Sequence, residues 1–179
     1  MKRRGKFSLA LVLILVLSIS MSTAAFAAVR ISKKSVTVAV NAPRWLHVDG
    51  TKKKVTWKST NTKVVTVKQT GTITGRKAGK ATVVAKVAGK SYKCQVTVLN
   101  NKQIADRVAA KVRAKYSNAR INDIERKGTY LDVYISRPMG EGAFMVVYRV
   151  NLKTGKAVFQ NYSWNRELFP KAPRTMTVF

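Results

Sequence analysis

Between residues 31 and 99 the sequence alternates apolar and polar positions with a period of two. The run SVTVAV places Val36, Val38 and Val40 on one face, and the runs KATVVAKVAG and KSYKCQVTVL repeat this alternation farther along. Turn signals such as Gly71 separate these short, β-branched runs. No helical period occurs in this span. The pattern therefore predicts an antiparallel β-sandwich in which one face of each strand is buried.

After residue 100 the pattern changes to a helix followed by strands. Ile104, Val108 and Val112 recur at steps of four, which predicts an amphipathic helix of about four turns. Asn100 precedes this run and is a favourable N-cap residue. The runs ARINDIERKG, TYLDVYISR, GAFMVVYRVNL and KAVFQNYSW return to a strand pattern, and a short edge strand is expected in the tail. The C-terminal part is thus predicted to be a small α+β domain, one helix plus an antiparallel meander.

Trp57, in the run VTWKS, is either a ligand platform on a basic surface or a core residue. Val55 and Trp57 fall on one strand face, whereas Thr56 and Lys58 point the other way. A sandwich of about seventy residues without a disulfide needs a large ring to fill its centre. We therefore interpret Trp57 as part of the core.

Five motifs in this first span follow one another in a fixed order. They are WKSTN from Trp57, VTV from Val65, GTITG from Gly71, AGKATVV from Ala78 and CQVTV from Cys94. In order and spacing the run resembles the bacterial immunoglobulin-like domain of group 2. The resemblance implies an Ig-like sandwich at residues 29–99 and a setting at the cell surface, in adhesion or ligand presentation. The segment NAPRWLHVDG, with Pro43 and Trp45, stands where family members usually carry a Gly-rich hairpin.

The first 27 residues have the layout of a secretory signal peptide. MKRRGK is a positive n-region, FSLALVLILVLSIS is an apolar h-region, and AFA at residues 25–27 is a small-x-small cleavage pattern. We predict cleavage after Ala27, with the competing interpretation of an uncleaved membrane anchor, for which the apolar run is short. The mature chain is expected to be secreted or attached to a cell surface of the Gram-positive type, with domains at 29–99 and 101–179.

The charge is strongly positive and unevenly distributed. The chain has 35 Lys+Arg against 7 Asp+Glu, a formal net charge of +28. Residues 29–98 hold sixteen basic side chains and one acidic side chain, Asp49. Such an excess favours polyanionic partners: an anionic cell-wall polymer, a glycan, an acidic surface protein or the head groups at a membrane surface. Nucleic acid is not an expected partner, because the chain is predicted to be exported.

The lysines of the first domain fall mostly on turns and on outward strand positions. The predicted basic surface comprises Lys52, Lys53, Lys54, Lys58, Lys63, Arg76 and Lys77. One interpretation is solubility and protection of sheet edges from strand addition. The other is attraction to anionic wall polymers or lipid head groups, which salt would screen. The sequence leaves both open.

Residues suited to catalysis are few. His47 is the only histidine and Cys94 the only cysteine, so we expect no metal site, and Cys94 is interpreted as a small buried residue. Asp123, Glu125 and Asp132 are the remaining acid–base candidates, but cross-strand ion pairs on a solvated face explain them more simply. No phosphate-binding or nucleophile motif is present. We predict a protein that is not an enzyme and carries no cofactor.

The second domain offers one aromatic candidate site. A stacking platform for a sugar or peptide is predicted from Tyr130, Tyr134, Arg137, Arg149, Tyr162 and Trp164. The alternative is that these rings pack beneath loops. The hairpin YRVNLKTGKAVF is similar to hairpins of small exported PepSY-type domains, which implies a second hypothesis for the whole chain. The first hypothesis is an exported surface protein with an adhesion or spacing module; the second is a secreted inhibitor or regulator of an envelope enzyme.

Overall fold

A computed structural model describes residues 28–160 and 170–179. In these two ranges the chain forms fourteen strands and one helix. The N-terminal strands are β1 (Arg30–Ile31), β2 (Ser35–Ala39), β3 (Pro43–Trp45), β4 (Val48–Asp49), β5 (Thr56–Ser59), β6 (Val65–Val67), β7 (Thr72–Gly75), β8 (Gly79–Val87) and β9 (Lys90–Leu99). Helix α1 (Asn101–Arg113) follows, and then β10 (Arg120–Lys127), β11 (Tyr130–Met139), β12 (Gly142–Asn151), β13 (Lys156–Gln160) and β14 (Thr175–Thr177). The predicted signal peptide lies outside the described residues.

The first nine strands build a sandwich. One sheet has the order β2-β9-β8-β5, the other has the order β3-β7-β6, and β1 pairs with β4. All pairs are antiparallel except β2 with β9, which run side by side in the same direction. The sequence predicted antiparallel pairing throughout, and this pair is the exception. Its cause is topological, because the chain enters the sandwich at one end along β2 and leaves at the other along β9.

The core of the sandwich is formed by alternate residues of both sheets. Trp57 is 5% exposed and packs among Leu46, Val65, Ile73 and other buried residues, which confirms its interpretation as core. The edge strand β5 also has an unusual backbone partner. The Gln69 side chain accepts a hydrogen bond from the Trp57 amide and donates one to the Trp57 carbonyl, both at 3.2 Å. Both backbone groups of the core tryptophan are thereby satisfied on the side of β5 that has no neighbouring strand.

The C-terminal part is one antiparallel sheet covered by the helix. Its strand order is β10-β11-β12-β13-β14, and the buried face of α1 packs against β10 and β11. Asn100 and Gln103 close a reciprocal capping box: the Asn100 side chain accepts from the Gln103 amide at 2.9 Å, and the Gln103 side chain accepts from the Asn100 amide at 3.0 Å. The predicted fold class, an Ig-like sandwich followed by a small α+β unit, is confirmed.

The two parts share apolar contacts where they join. Ala39, Ala42 and Leu99 belong to the sandwich strands or their turns, yet they cluster with the buried residues of α1 and its sheet. Arg126 of β10 donates a hydrogen bond to the Val40 carbonyl at 3.0 Å. The end of the sandwich next to α1 is therefore packed against the α+β sheet, whereas the opposite end has no such contact within residues 28–160 and 170–179.

None of the helical residues that the structure describes forms a segment long and apolar enough to span a bilayer.

Candidate functional site

The predicted basic surface divides between the two ends of the sandwich. Thr56 at the start of β5 pairs with Lys86 near the end of β8, so the preceding loop lies at the end remote from α1. We call this end the distal pole and define it by residues 50–55 and the β8–β9 turn at residues 88–89. The loop places Lys52, Lys53 and Lys54 together at the distal pole, all exposed to solvent.

The other predicted basic residues lie elsewhere on the sandwich. Lys63 follows the WKSTN motif, whose Asn61 side chain accepts a hydrogen bond from the Lys63 amide at 3.1 Å. Arg76 and Lys77 are held nearby, because their amides donate to the Val64 carbonyl. These three residues are at the end near α1. Lys58 projects from β5 between the two ends, so the seven residues do not form one continuous surface.

Two adjoining clefts open at the distal pole. The first, of about 1060 Å³, is lined by Val29, Gly50, Thr51, Lys52, Lys53, Val87, Ala88, Lys90 and Tyr92. The second, of about 730 Å³, is lined by Val29, Arg30, Ile31, Lys34, Ser35, Ser91, Tyr92, Lys93 and Gln95. Val29 and Tyr92 border both clefts. The tight β8–β9 turn shapes the first cleft, and both of its residues, Ala88 and Gly89, have positive φ, as a two-residue hairpin of this kind requires.

The charged side chains that line these two clefts are all basic. No acidic residue is among the residues that line them. Asp49, the only carboxylate of the sandwich, lies 3.5 Å from the Arg30 guanidinium and 3.2 Å from His47 Nε2. In the part of the chain that the structure describes, the cleft lysines have no carboxylate within 4.0 Å. Their positive charge is therefore available to an external anion.

An exposed tryptophan, which the sequence did not single out as a site residue, stands beside this pole. Trp45 is 60% exposed and stacks on His47 with ring centroids 4.4 Å apart. Its indole N–H donates to the Thr70 carbonyl at 3.0 Å. The sequence held one signal for this residue, the departure from the family pattern at Pro43 and Trp45. An aromatic residue in a short edge strand can leave one face of its ring exposed to solvent.

The predicted aromatic platform of the C-terminal sheet is only partly assembled. Tyr130, Tyr134 and Arg149 lie on the sheet face opposite α1. Arg137 is on the other face, half-buried with its guanidinium 4.6 Å from the Tyr116 ring, so including it in the platform was wrong. The other two predicted members of the platform, Tyr162 and Trp164, lie outside the described residues.

The polar centre of this sheet face is an ion network. The Arg149 guanidinium donates to both Asp132 oxygens, at 2.8 and 2.7 Å, and Lys127 reaches Glu125 at 2.9 Å and Asp132 at 3.5 Å. Tyr134 donates its hydroxyl to Glu125 at 3.2 Å. Asp132 is buried, and the hydrogen bonds from Arg149 hold the pKa of its carboxyl below the ordinary value. The network matches the cross-strand ion pairs that the sequence favoured.

Replacing Asp132 by asparagine should lower stability at neutral pH and flatten its dependence on pH. The folded-state pKa of Asp132 is depressed, so its contribution is complete above the unfolded value of about 3.9 and is lost as the pH falls through the folded value. We expect a loss of about 1–3 kcal/mol at pH 7, limited because Arg149 remains partly solvated. Urea unfolding between about pH 7 and pH 3 measures it.

The matched control is Asp123→Asn, an exposed carboxylate two residues from Glu125 that has no ion pair among the described residues. It should change stability by less than about 0.5 kcal/mol. Equal effects of the two substitutions would show that the network does not stabilise the sheet.

The nucleophile and metal candidates have structural roles. Burial raises the pKa of the Cys94 thiol to about 11, which leaves almost no thiolate at neutral pH. His47 is held between the Trp45 ring and Asp49. Within residues 28–160 and 170–179, no three His, Cys, Asp or Glu side chains lie close enough together to hold a metal ion.

Comparison with solved structures finds distant similarity to surface proteins. Domains 4 and 5 of the S-layer protein SbsC align with 41% of this chain and 51% of their own at 22% identity, with a TM-score of 0.33. Domains 4–9 of SbsC align with 74% of this chain and 28% of theirs at 15% identity and a TM-score of 0.34. An intimin mutant from EHEC O157:H7 aligns with 66% of this chain and 91% of its own at 12% identity and a TM-score of 0.37.

This chain thus spans about half or less of the SbsC structures, and these similarities assign no function. No curated protein sequence matches the chain significantly. One family model does match, that of the bacterial Ig-like domain (group 2), over residues 25–98. It covers the five motifs from Trp57 onward and the strands that they form. Residues 25–98, which include the strands of the sandwich up to Val98, therefore match the bacterial Ig-like domain of group 2.

Proposed function

We propose that the chain is an exported, non-enzymatic protein of a Gram-positive-type cell envelope. Its Ig-like module serves adhesion or spacing and attaches the chain to anionic wall polymers or glycans. The observation that carries this proposal is the charge of the module: sixteen basic side chains and one carboxylate in residues 29–98, with that carboxylate already engaged by Arg30 and His47. Such a surface attracts polyanions over a Debye length of about 8 Å at physiological ionic strength.

The architecture supports a spacing role. Strand β9 runs from the distal pole to Leu99 beside α1, and its ten residues extend about 33 Å. The sandwich therefore separates a basic end from the α+β unit by roughly that distance. Most apolar residues of its strands pack in its own core, and the lysines on its outward strand positions are exposed.

The proposal predicts that salt releases the protein from cell-wall fractions. We expect retention at low ionic strength and release between about 0.1 and 1 M NaCl, because screening shortens the Debye length to about 3 Å at 1 M. Sedimentation of purified wall fragments with the protein, followed by quantification of the supernatant, measures this. Sucrose at matched osmolarity is the control and should release nothing. Retention that is indifferent to ionic strength would contradict electrostatic attachment.

The second candidate function is regulation of an envelope enzyme through the C-terminal sheet. The observation that favours it is the sheet face opposite α1, where Tyr130, Met145 and Val158 are each more than 40% exposed. Exposed apolar side chains on one face are typical of protein interfaces. Affinity capture with the whole chain separates the two candidates: one stoichiometric protein that is lost on Val158→Asp supports regulation, and retention on wall polymer alone supports attachment.

A further inference from the structure

We infer that the attachment is localised: the two clefts of the distal pole bind the phosphate groups of a linear, phosphate-bearing polymer. This inference rests on the proposed function and names its site and ligand class. The first argument is position. The end of the sandwich beside α1 packs against Arg126 and the α+β core, whereas the distal pole makes no such contact with any described residue and opens into two clefts.

The second argument is the arrangement of charge. The first cleft is lined by Lys52, Lys53 and Lys90. The second cleft is lined by Lys34 and Lys93. All five are exposed, and none has a carboxylate within 4.0 Å among the described residues. The clefts adjoin along Val29 and Tyr92, so a chain that leaves one can enter the next. Two basic sites in series suit a polyanion better than a single small anion.

The third argument concerns which anion fits. An arginine fork recognises carboxylate and phosphate alike in bidentate geometry, whereas a lysine ammonium binds phosphate as a compact point charge without a fixed geometry. Arg30 is the only arginine lining either cleft, and it already lies 3.5 Å from Asp49. The remaining cations are lysines. The cations of the distal pole are therefore suited to the phosphate groups of a flexible polymer, which need no planar fork.

The fourth argument is the shape and floor of the clefts. Val29, Val87 and Tyr92 give the first cleft an apolar lining between its lysines. A polymer that alternates phosphates with carbon-rich units matches this lining, since its charges reach the lysines while its carbon units cover the valines and the ring. A flat bilayer surface does not enter a concave cleft in this way.

The test compares two triple variants of residues 28–179 that remove equal charge. Lys52→Gln/Lys53→Gln/Lys90→Gln alters the first cleft, whereas Lys58→Gln/Lys63→Gln/Lys77→Gln removes three exposed lysines that line neither cleft. Binding to poly(glycerol phosphate) is measured by calorimetry at about 50 mM NaCl. We expect the cleft variant to bind at least about tenfold more weakly and the control variant to change by about twofold or less. Circular dichroism and thermal unfolding of both variants should match the parent chain.

Each outcome decides something different. Equal weakening of both variants would overturn the localised site while leaving electrostatic attachment intact, whereas salt-indifferent retention on wall fragments would defeat the proposed function itself. Polygalacturonate binding as tightly as poly(glycerol phosphate) would overturn the preference for phosphate. Tighter binding to phosphatidylglycerol vesicles than to the polymer would identify a membrane surface as the ligand and overturn the polymer.

Discussion

Trp57→Ala is expected to remove a large share of the stability of the Ig-like sandwich. The ring is 5% exposed, packs in the centre of the core and borders Gly71, which directly precedes β7 of the facing sheet. Truncating a buried tryptophan to alanine costs about 3–5 kcal/mol, from lost burial and from the cavity left behind. A domain of about seventy residues has a total stability of about 4–10 kcal/mol, so the substitution would remove roughly half of it. Urea unfolding followed by circular dichroism measures the change.

Trp45→Ala is the matched control, because it makes the same chemical change at a ring that is 60% exposed. It removes one stacking contact with His47 and one hydrogen bond to Thr70, so the loss should stay below about 1.5 kcal/mol. A Trp57→Ala module that keeps the stability of the parent chain and loses only ligand binding would reverse the assignment of the two tryptophans.

Gly71→Ala should also disrupt the sandwich, for a different reason. Gly71 has a backbone φ of +85°, which residues with a side chain rarely adopt. An added Cβ would also collide with the Leu46 carbonyl oxygen and press on the Trp57 ring. The carbonyl of Gly71 accepts from the Leu46 amide at 3.0 Å, so backbone on both sides is fixed. We expect a loss of at least about 3 kcal/mol, measured by thermal or urea unfolding.

Gly89→Ala separates backbone strain from collision. Gly89 has φ of +81°, but an added Cβ would meet no atom within 4 Å. The control should therefore lose about 1 kcal/mol, from backbone strain alone. If the two substitutions lower the free energy of unfolding equally, the collision with the Leu46 carbonyl adds nothing to the effect of Gly71→Ala.

Several features could be predicted from sequence because they depend on local pattern. The period-two runs predicted the strands. The burial of Trp57 followed from its place on the strand face opposite that of Lys58. The spacing of Ile104, Val108 and Val112 gave the helix, and Asn100 its cap, since capping depends on residues within one turn. The same alternation also puts Arg137 with Leu131 on the face of β11 that points towards α1, a signal that was present and not used.

Other features depend on long-range pairing and could not be predicted in this way. The division of Lys52 from Lys77 between opposite ends follows from the register of β5 against β8, which no local pattern encodes. The distal clefts follow from the approach of the loop at residues 50–55 to the β8–β9 turn. The contact of Arg126 with Val40 joins residues 86 positions apart.

The parallel pairing of β2 with β9 determines how the module carries a mechanical load. β2 enters the sandwich on the distal side and β9 leaves it at α1, with register from Ser35 opposite Gln95 to Ala39 opposite Leu99. A pull between the distal side and the C-terminal unit draws these two strands past each other along their length. The hydrogen bonds between the two strands lie across that direction. They are therefore loaded together in shear and do not break one at a time. The strand pair that departs from the antiparallel pattern is therefore also the one that resists tension along the module.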